Sequence, residues 1–264
     1  MSSTIDLHSH IAWDIDDGMP NKEDALVSLE NAKKDGIVAI CSTPHYVGGQ
    51  MNDEAYEDIH RRQQELAMEA ARFGIKIYAG AEMFMDSSFL SMLENEWYQT
   101  INNSAYLLCE YNVQRDIHTI QNHEDMLYEV EVRGMVPVIA HAERYFHKGL
   151  DMEIIDGWKE QGYLFQVNRT SLQGMHGKTI QENAWKLLEE GYAHIICTDT
   201  HRANGHRVEQ LSDIYEEVEQ QFGSVWAQEL LYKNPLRILN NRRVRDLKME
   251  DKVQKKKSFF SFGR

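Results

Sequence analysis

Apolar positions along the chain fall into short β-rich runs, each separated from the next by a longer amphipathic stretch. The runs cover residues 4–8, 38–43, 76–82, 105–110, 136–141, 164–168 and 194–199. Between them, residues 22–35, 53–73, 117–133 and 178–190 carry apolar side chains at helical spacing and predict helices. Several of these stretches stop at a glycine just ahead of the next run: Gly36, Gly74, Gly134, Gly162 and Gly191. Glycine there supplies the left-handed residue that closes a helix. Strand, helix, glycine and strand, repeated about seven times, form the pattern of parallel βα units. The expected fold class is therefore α/β, with about seven parallel βα units that can close into a barrel in a single domain over residues 1–241.

The ends of the runs carry chemistry. His8, His45, Glu82, Glu110, His141, Asn168 and Asp199 follow one another in steps of 27 to 37 residues, one βα unit each. Parallel strands closed into a barrel bring all their C-terminal ends to one face. Strands often end in a polar residue where they reach solvent, which accounts for one or two such ends. It does not account for six of seven being His, Asp or Glu. The first run also places His8 and His10 two residues apart, so both imidazoles leave an extended strand on one side. Neutral imidazole is a common metal ligand, and a His-x-His pair at a strand end suits a divalent ion.

Composition narrows the possible partners. Forty-two acidic against 28 basic residues give a net charge of −14, which argues against nucleic acid as the main partner. Residues 1–10 lack the pattern of a signal peptide, and no apolar run approaches the roughly 20 residues of a membrane span. Three cysteines without CxxC spacing make no disulfide framework. These features predict a cytoplasmic protein. The charge reverses near the end: from Arg242 onward nine Lys/Arg face only Asp246, Glu250 and Asp251. Residues 242–264 are expected to be a basic, flexible tail. With Phe259, Phe260 and Phe262 beside Lys255–Lys257, that tail is suited either to an anionic membrane surface or to a solvated end.

The metal-capable residues near the strand ends are His8, His10, Asp17, His45, Glu82, Glu110, His141, Asp199 and His201. Five imidazoles and four carboxylates exceed the four to six ligands of one ion and would serve three, with a carboxylate bridging. Three divalent ions against four carboxylates leave a residual charge of about +2, which suits a phosphate dianion.

The segments DLHSHIAWDIDDG, STPH, GAE, HAERY, QVN and TDTH resemble the PHP (polymerase and histidinol phosphatase) superfamily. They are most similar to the bacterial protein-tyrosine phosphatases of capsule and exopolysaccharide synthesis, over residues 4–240 or so. The resemblance implies a distorted TIM-like (β/α)7 barrel of the PHP type and a trinuclear centre, most often of Mn2+, with Fe, Co or Zn as alternatives. It also implies action on phosphotyrosine of a cognate bacterial tyrosine autokinase. It assigns His8, His10, Asp199 and a bridging Glu82 to one ion, Glu110 and His141 to a second, and Asp17, His45 and His201 to a third. Arg144, three residues after His141, resembles the family's phosphate-contacting arginine, whose guanidinium fork suits phosphate oxygens. A further arginine is expected about seven residues after Asp199, where this chain has His206, with Arg207 one step later. Either can take that second phosphate position.

Cys109 and Arg115 stand in Cys-x5-Arg spacing, the formal pattern of cysteine-dependent tyrosine phosphatases. Such a loop wraps phosphate with successive backbone amides and favours glycine between the two. Here Glu110 follows the thiol directly, repels phosphate and raises the thiol pKa, so Cys41, Cys109 and Cys197 read as core residues. A small-molecule phosphoesterase, such as a histidinol-phosphate phosphatase, is the nearest alternative, because loops choose the substrate. A non-catalytic kinase-binding partner is another, against which the intact ligand set argues. His60, His118, His123, His147 and His176 are expected to be solvated. His194 is expected at the far end of its strand, and Asn168 beside the site.

Overall fold

The computed structural model describes residues 2–252. All strand pairings are parallel, as the repeated βα pattern requires. The chain opens with β1 (Thr4–Ser9), α1 (Lys22–Asp35), β2 (Ile37–Ser42), β3 (His45–Tyr46), α2 (Asp53–Ala71), β4 (Lys76–Ala79) and β5 (Glu82–Phe84). It continues through α3 (Phe89–Glu94), β6 (Tyr106–Glu110), α4 (His123–Glu131), β7 (Val136–Ile139), α5 (Met152–Glu160) and β8 (Leu164–Asn168). Then come α6 (Arg169–Leu172), α7 (Lys178–Glu189), β9 (Ala193–Cys197), α8 (Ser212–Phe222), α9 (Ser224–Gln228) and α10 (Asn234–Leu239).

The fold is a mixed α/β single domain, but its strands form two sheets rather than one continuous barrel wall. One sheet runs β1-β2-β4 and the other β3-β5-β6-β7-β8-β9. The run expected as one strand over 76–82 is broken at Gly80 and Ala81, with β4 and β5 in different sheets, and a side chain on Gly80 would run into Cys41. Its neighbour is interrupted in the same way at Thr43 and Pro44. Between β1 and β9 the pairing reduces to one bridge, Ser9 to Thr200, flanked by Asp199 N–H to His8 O and His10 N–H to Thr200 O, each 2.9 Å.

Helix starts and stops follow local chemistry. The Asn21 side chain accepts the Asp24 N–H, and Gly36 at φ 91 ends α1 with its N–H on Ala32 and Lys33 carbonyls. The single helix expected over 117–133 is instead a short turn at Ile117–Thr119 followed by α4, because Asn122 takes a left-handed φ of 57.

Two apolar cores result. The larger packs the helices on the outward side of the strands and includes Cys109, Leu187 and Trp226. The smaller lies on the opposite side, with Ile5, Leu7, Ala39, Cys41, Leu108, Val138, Ile195 and Cys197, and is closed by Ile238, Leu239 and Val244. Val244 and Leu247 are buried, and Arg245 pairs with Glu229 and Asp251, so the tail expected to be free from Arg242 is anchored through 242–252. The remainder of that expected tail, 253–264, lies outside the described residues. No helix among the described residues is long and apolar enough to cross a membrane.

Candidate metal centre

Strand alternation carries the smaller core upward into the polar cluster. Along β6, Leu108 packs in that core and Glu110 is the next residue on the same face. β9 ends at Cys197, which packs in that core, and Asp199, two residues beyond the strand, joins the cluster. Pairing of β3 with β5 sets His45 directly beside Glu82. A register irregularity between Asp6 and Ser9 turns His8 as well as His10 toward the same space.

Glu82 is the hub. Its carboxylate lies 3.1 Å from His8 Nε2, 3.0 Å from His10 Nε2, 3.1 Å from His45 Nδ1 and 3.1 Å from His141 Nε2. Glu110 stands 3.3 Å from His45 Nδ1 and 3.5 Å from His141 Nε2. Asp17, at the rim, is 3.2 Å from His201 Nε2 and 3.5 Å from His45 Nε2. Asp199 reaches His201 Nδ1 at 3.2 Å and both His8 and His10 at 3.6 Å. All nine sequence-selected residues are thus brought together. Ligand atoms fall within 4.8 Å of one another in four overlapping groups: His10, Asp17, His45 and His201; His8, His141 and Asp199; His8, His10 and Glu82; and His45, Glu82 and Glu110.

The arrangement fits cations. His8 Nε2 and His10 Nε2 face each other at 3.3 Å, and His141 Nδ1 is buried without a hydrogen-bond partner among the described residues. Burial by itself would depress the His8 imidazole, yet Glu82 and Asp199 carry it up to about 9. His45, likewise opposed by burial, is raised to about 10 by Glu82, Asp17 and Glu110. Burial would raise Glu82 and Asp199, but the surrounding imidazoles hold both well below the usual carboxylate range. Protons on imidazoles answer the carboxylate charge here, and divalent ions on nitrogen and oxygen donors answer it equally well. His141 and Asp199 also hold positive φ, 31 and 53, a backbone conformation that side chains other than glycine seldom adopt.

Both expected arginines converge on Asp199. Arg207 Nη2 is 2.8 Å from its Oδ1, and Arg144 Nη1 is 3.7 Å from its Oδ2. His206 offers its backbone carbonyl to Arg169 at 3.2 Å.

Three orienting residues were not selected from sequence. Asp16, not only Asp17, touches the cluster, with Oδ2 2.7 Å from His10 Nδ1. Gln166 Oε1 lies 3.0 Å from His8 Nδ1 and accepts the His141 N–H at 2.7 Å. The Gln166 amide then donates to Asn168, whose Nδ2 donates to Asp199 Oδ2 at 2.8 Å. Asn168 thus stands where it was expected, and Gln166 shares its strand parity, a signal that could have located it. Glu143 is buried in the same shell and accepts the Asn168 N–H at 3.0 Å. His176, expected to be solvated, is half-buried, with its ring against Thr170.

Parallel strands ending in a histidine–carboxylate cluster with two arginines define an α/β protein with a candidate polynuclear metal centre. The chain belongs to the capsular polysaccharide synthesis family CpsB/CapC, which matches residues 4–240. It is 30% identical over 250 residues to the tyrosine-protein phosphatase CpsB of Streptococcus pneumoniae, covering 91% of this chain and 100% of that one. It is 24% identical over 260 residues to the tyrosine-protein phosphatase YwqE of Bacillus subtilis, with 98% and 99% covered. A solved structure described under YwqE and CpsB, unique metal-dependent tyrosine phosphatases, shares the fold. Its TM-score is 0.77 at 24% identity, with 92% of this chain and 97% of that chain covered.

Proposed function

We propose that this protein is a metal-dependent protein-tyrosine phosphatase that hydrolyses phosphotyrosine on a bacterial tyrosine autokinase of capsule or exopolysaccharide synthesis. The observation that carries the reading is Glu82 within 3.1 Å of four imidazoles, beneath two arginines that share Asp199. His8, His10, Glu82 and Asp199, then Glu110 and His141, then Asp17, His45 and His201 would hold three divalent ions, with manganese the expected metal. When bound, such ions lower the pKa of water and offset phosphate charge. Arg144 grips phosphoryl oxygens through its fork, and Arg207 stands ready on the other side of Asp199. Gln166 and Asp16 fix which nitrogen His8 and His10 present, Asn168 orients the Asp199 carboxylate, and burial of most of the ligands limits competing water. The reading places the enzyme in the cytoplasm and its strands in a distorted (β/α)7 barrel, supported by the Ser9 to Thr200 bridge between first and last strands.

The test combines elemental analysis of the purified protein with hydrolysis of a phosphotyrosine peptide before and after exhaustive chelation. More than one divalent ion per chain and chelator-sensitive turnover are expected. Full turnover after metal removal would end the proposal.

A further inference from the structure

Beside Arg144 the surface opens into a separate cavity of about 380 Å3. Its walls include Arg144, His147, His176 and Lys178, with Val113 and Ile180 as the apolar part, and no carboxylate lines it within the described chain. Arg144 and Lys178 give this wall its positive charge, while burial and then Arg144 and Arg207 push the His176 imidazole down to about 4 and leave it a neutral part of the lining.

We propose that this cavity is a second anion subsite, which takes an acidic group of the substrate lying close to the phosphotyrosine. The inference rests on the phosphotyrosine reading above and names the chemistry of what flanks that residue. Arg144 carries the argument because it belongs to both places. Its guanidinium stands 3.7 Å from Asp199 and also lines the cavity, so a group seated there is one arginine away from the phosphoryl site. An extended peptide advances about 3.3 Å per residue, so the acidic group belongs to a residue close in sequence to the phosphotyrosine.

The remaining walls are arranged for an anion. His147 Nε2 donates to the Val113 carbonyl at 3.0 Å and its backbone N–H donates to Asp116 at 3.0 Å, which fixes the imidazole in the cavity wall. Among the described residues Lys178 pairs with Glu182, one helical turn on, at 3.3 Å in an exposed geometry that contributes little and yields readily to a better partner. The cavity also receives the first turn of α7, whose cap residue Gly177 has no side chain to occupy the leading amides. A carboxylate of Asp or Glu and a second phosphate share this chemistry.

The experiment compares three phosphotyrosine peptides, flanked by glutamate, by phosphoserine or by glutamine. Each is assayed with the metal-loaded wild type and with the Lys178→Gln/His147→Gln double variant. The wild type is expected to show a KM about fivefold lower for both acidic peptides, the scale of partly exposed charge pairs. The double variant should lose that preference while keeping its turnover of the glutamine-flanked peptide and of p-nitrophenyl phosphate within about twofold. Lys178→Arg should retain the preference. Fluorescence anisotropy of the same peptides bearing a non-hydrolysable phosphonate reads occupancy without turnover and should give the same ranking. A preference for phosphoserine alone supports the subsite and assigns it to multiply phosphorylated substrates. No preference in the wild type, or an equal loss on all three peptides in the variant, overturns the subsite. If neither p-nitrophenyl phosphate nor the glutamine-flanked peptide is hydrolysed, the phosphatase reading fails, and the anisotropy ranking still accepts or rejects the subsite.

Discussion

Asp16 Oδ2 lies 2.7 Å from His10 Nδ1, and the same oxygen accepts the backbone N–H of His45 at 2.9 Å. One carboxylate therefore holds two candidate ligands, from different strands, in fixed relation. It assigns the proton to His10 Nδ1 and leaves Nε2 to face Glu82 at 3.0 Å. The loop is tight: Gly18 donates to Asp16 Oδ1 at 2.9 Å, and a β-carbon at Gly18 would run into the carbonyl and Cβ of His10. Burial would raise Asp16, but His10 and His45 bring it down to about 2, so it is charged at any working pH.

Asp16→Ala is expected to weaken divalent-ion binding by about 10- to 100-fold, the usual cost of losing a group that orients a ligating histidine. Gly18→Ala should act in the same direction by displacing His10. Isothermal titration with manganese measures both, and wild-type affinity in Asp16→Ala would remove Asp16 from the site.

The contrast between Asp16 and Asp17 shows where sequence reading stops. The adjacent carboxylates are equivalent in DIDDG, and Asp17 was selected. In the fold Asp17 is a rim group, 66% exposed, reaching His45 and His201, whereas Asp16 is turned inward on His10. The choice depends on the reversal of the loop, which hangs on Met19 N–H to His10 O at 3.1 Å, a contact that spacing does not encode. Strand ends were legible because apolar runs terminate there, and β8 was bounded at 164–168 as found. The interruptions at Thr43–Pro44 and Gly80–Ala81 were not, since a run of suitable residues hides a close approach such as Gly80 to Cys41. Gln166 escaped for another reason: a neutral amide looks inert until His8 and His141 are placed on either side of it.

Arg144 separates phosphate binding from metal binding. Its nearest carboxylate is 3.7 Å away, too far for a strong fixed pair, and its side chain is 17% exposed toward the adjoining cavity. Arg144→Ala should retain the metals and lower kcat/KM by about 10² or more, the range for losing one donor to a developing oxyanion. Lysine there should rescue only part, because a point charge lacks the fork. Wild-type kinetics would exclude Arg144.

Cys109 tests the rival chemistry. Strand alternation sends it into the outward core while Glu110 enters the cluster, so thiol and cluster lie on opposite faces of β6. Burial first, then the Glu82 charge, pushes the thiol far above its usual value, the wrong direction for a thiolate nucleophile. Cys109→Ser should cost about 1 kcal/mol of stability and leave activity within a few-fold. Glu110→Gln should keep the fold and lose activity. An inactive, folded Cys109→Ser protein with its metals bound would overturn the metal-dependent reading.

Glu209 offers a prediction in pH rather than in activity. It is buried behind the His8–His10 segment, accepts from Ser9 Oγ, and its Oε2 has no partner among the described residues. Burial, with the charge of Asp6 added, holds its carboxyl well above the usual range, and burial also raises Asp6. Two such carboxyls titrate as a pair, and the folded state keeps a proton that the unfolded chain releases above a pH of about 4.3. The sign follows: this stabilisation is full below the unfolded value and is lost as pH rises toward the folded one. Glu209→Gln keeps the shape and the neutral charge but does not titrate. The variant should therefore gain on the wild type as pH rises from 5.5 to 7.5, by at most about 1.4 kcal/mol per unit. Urea midpoints of both proteins, at saturating metal and three pH values, measure the difference, and the shared ligands cancel from it. A difference that does not change with pH would mean that Glu209 is ionised in the fold.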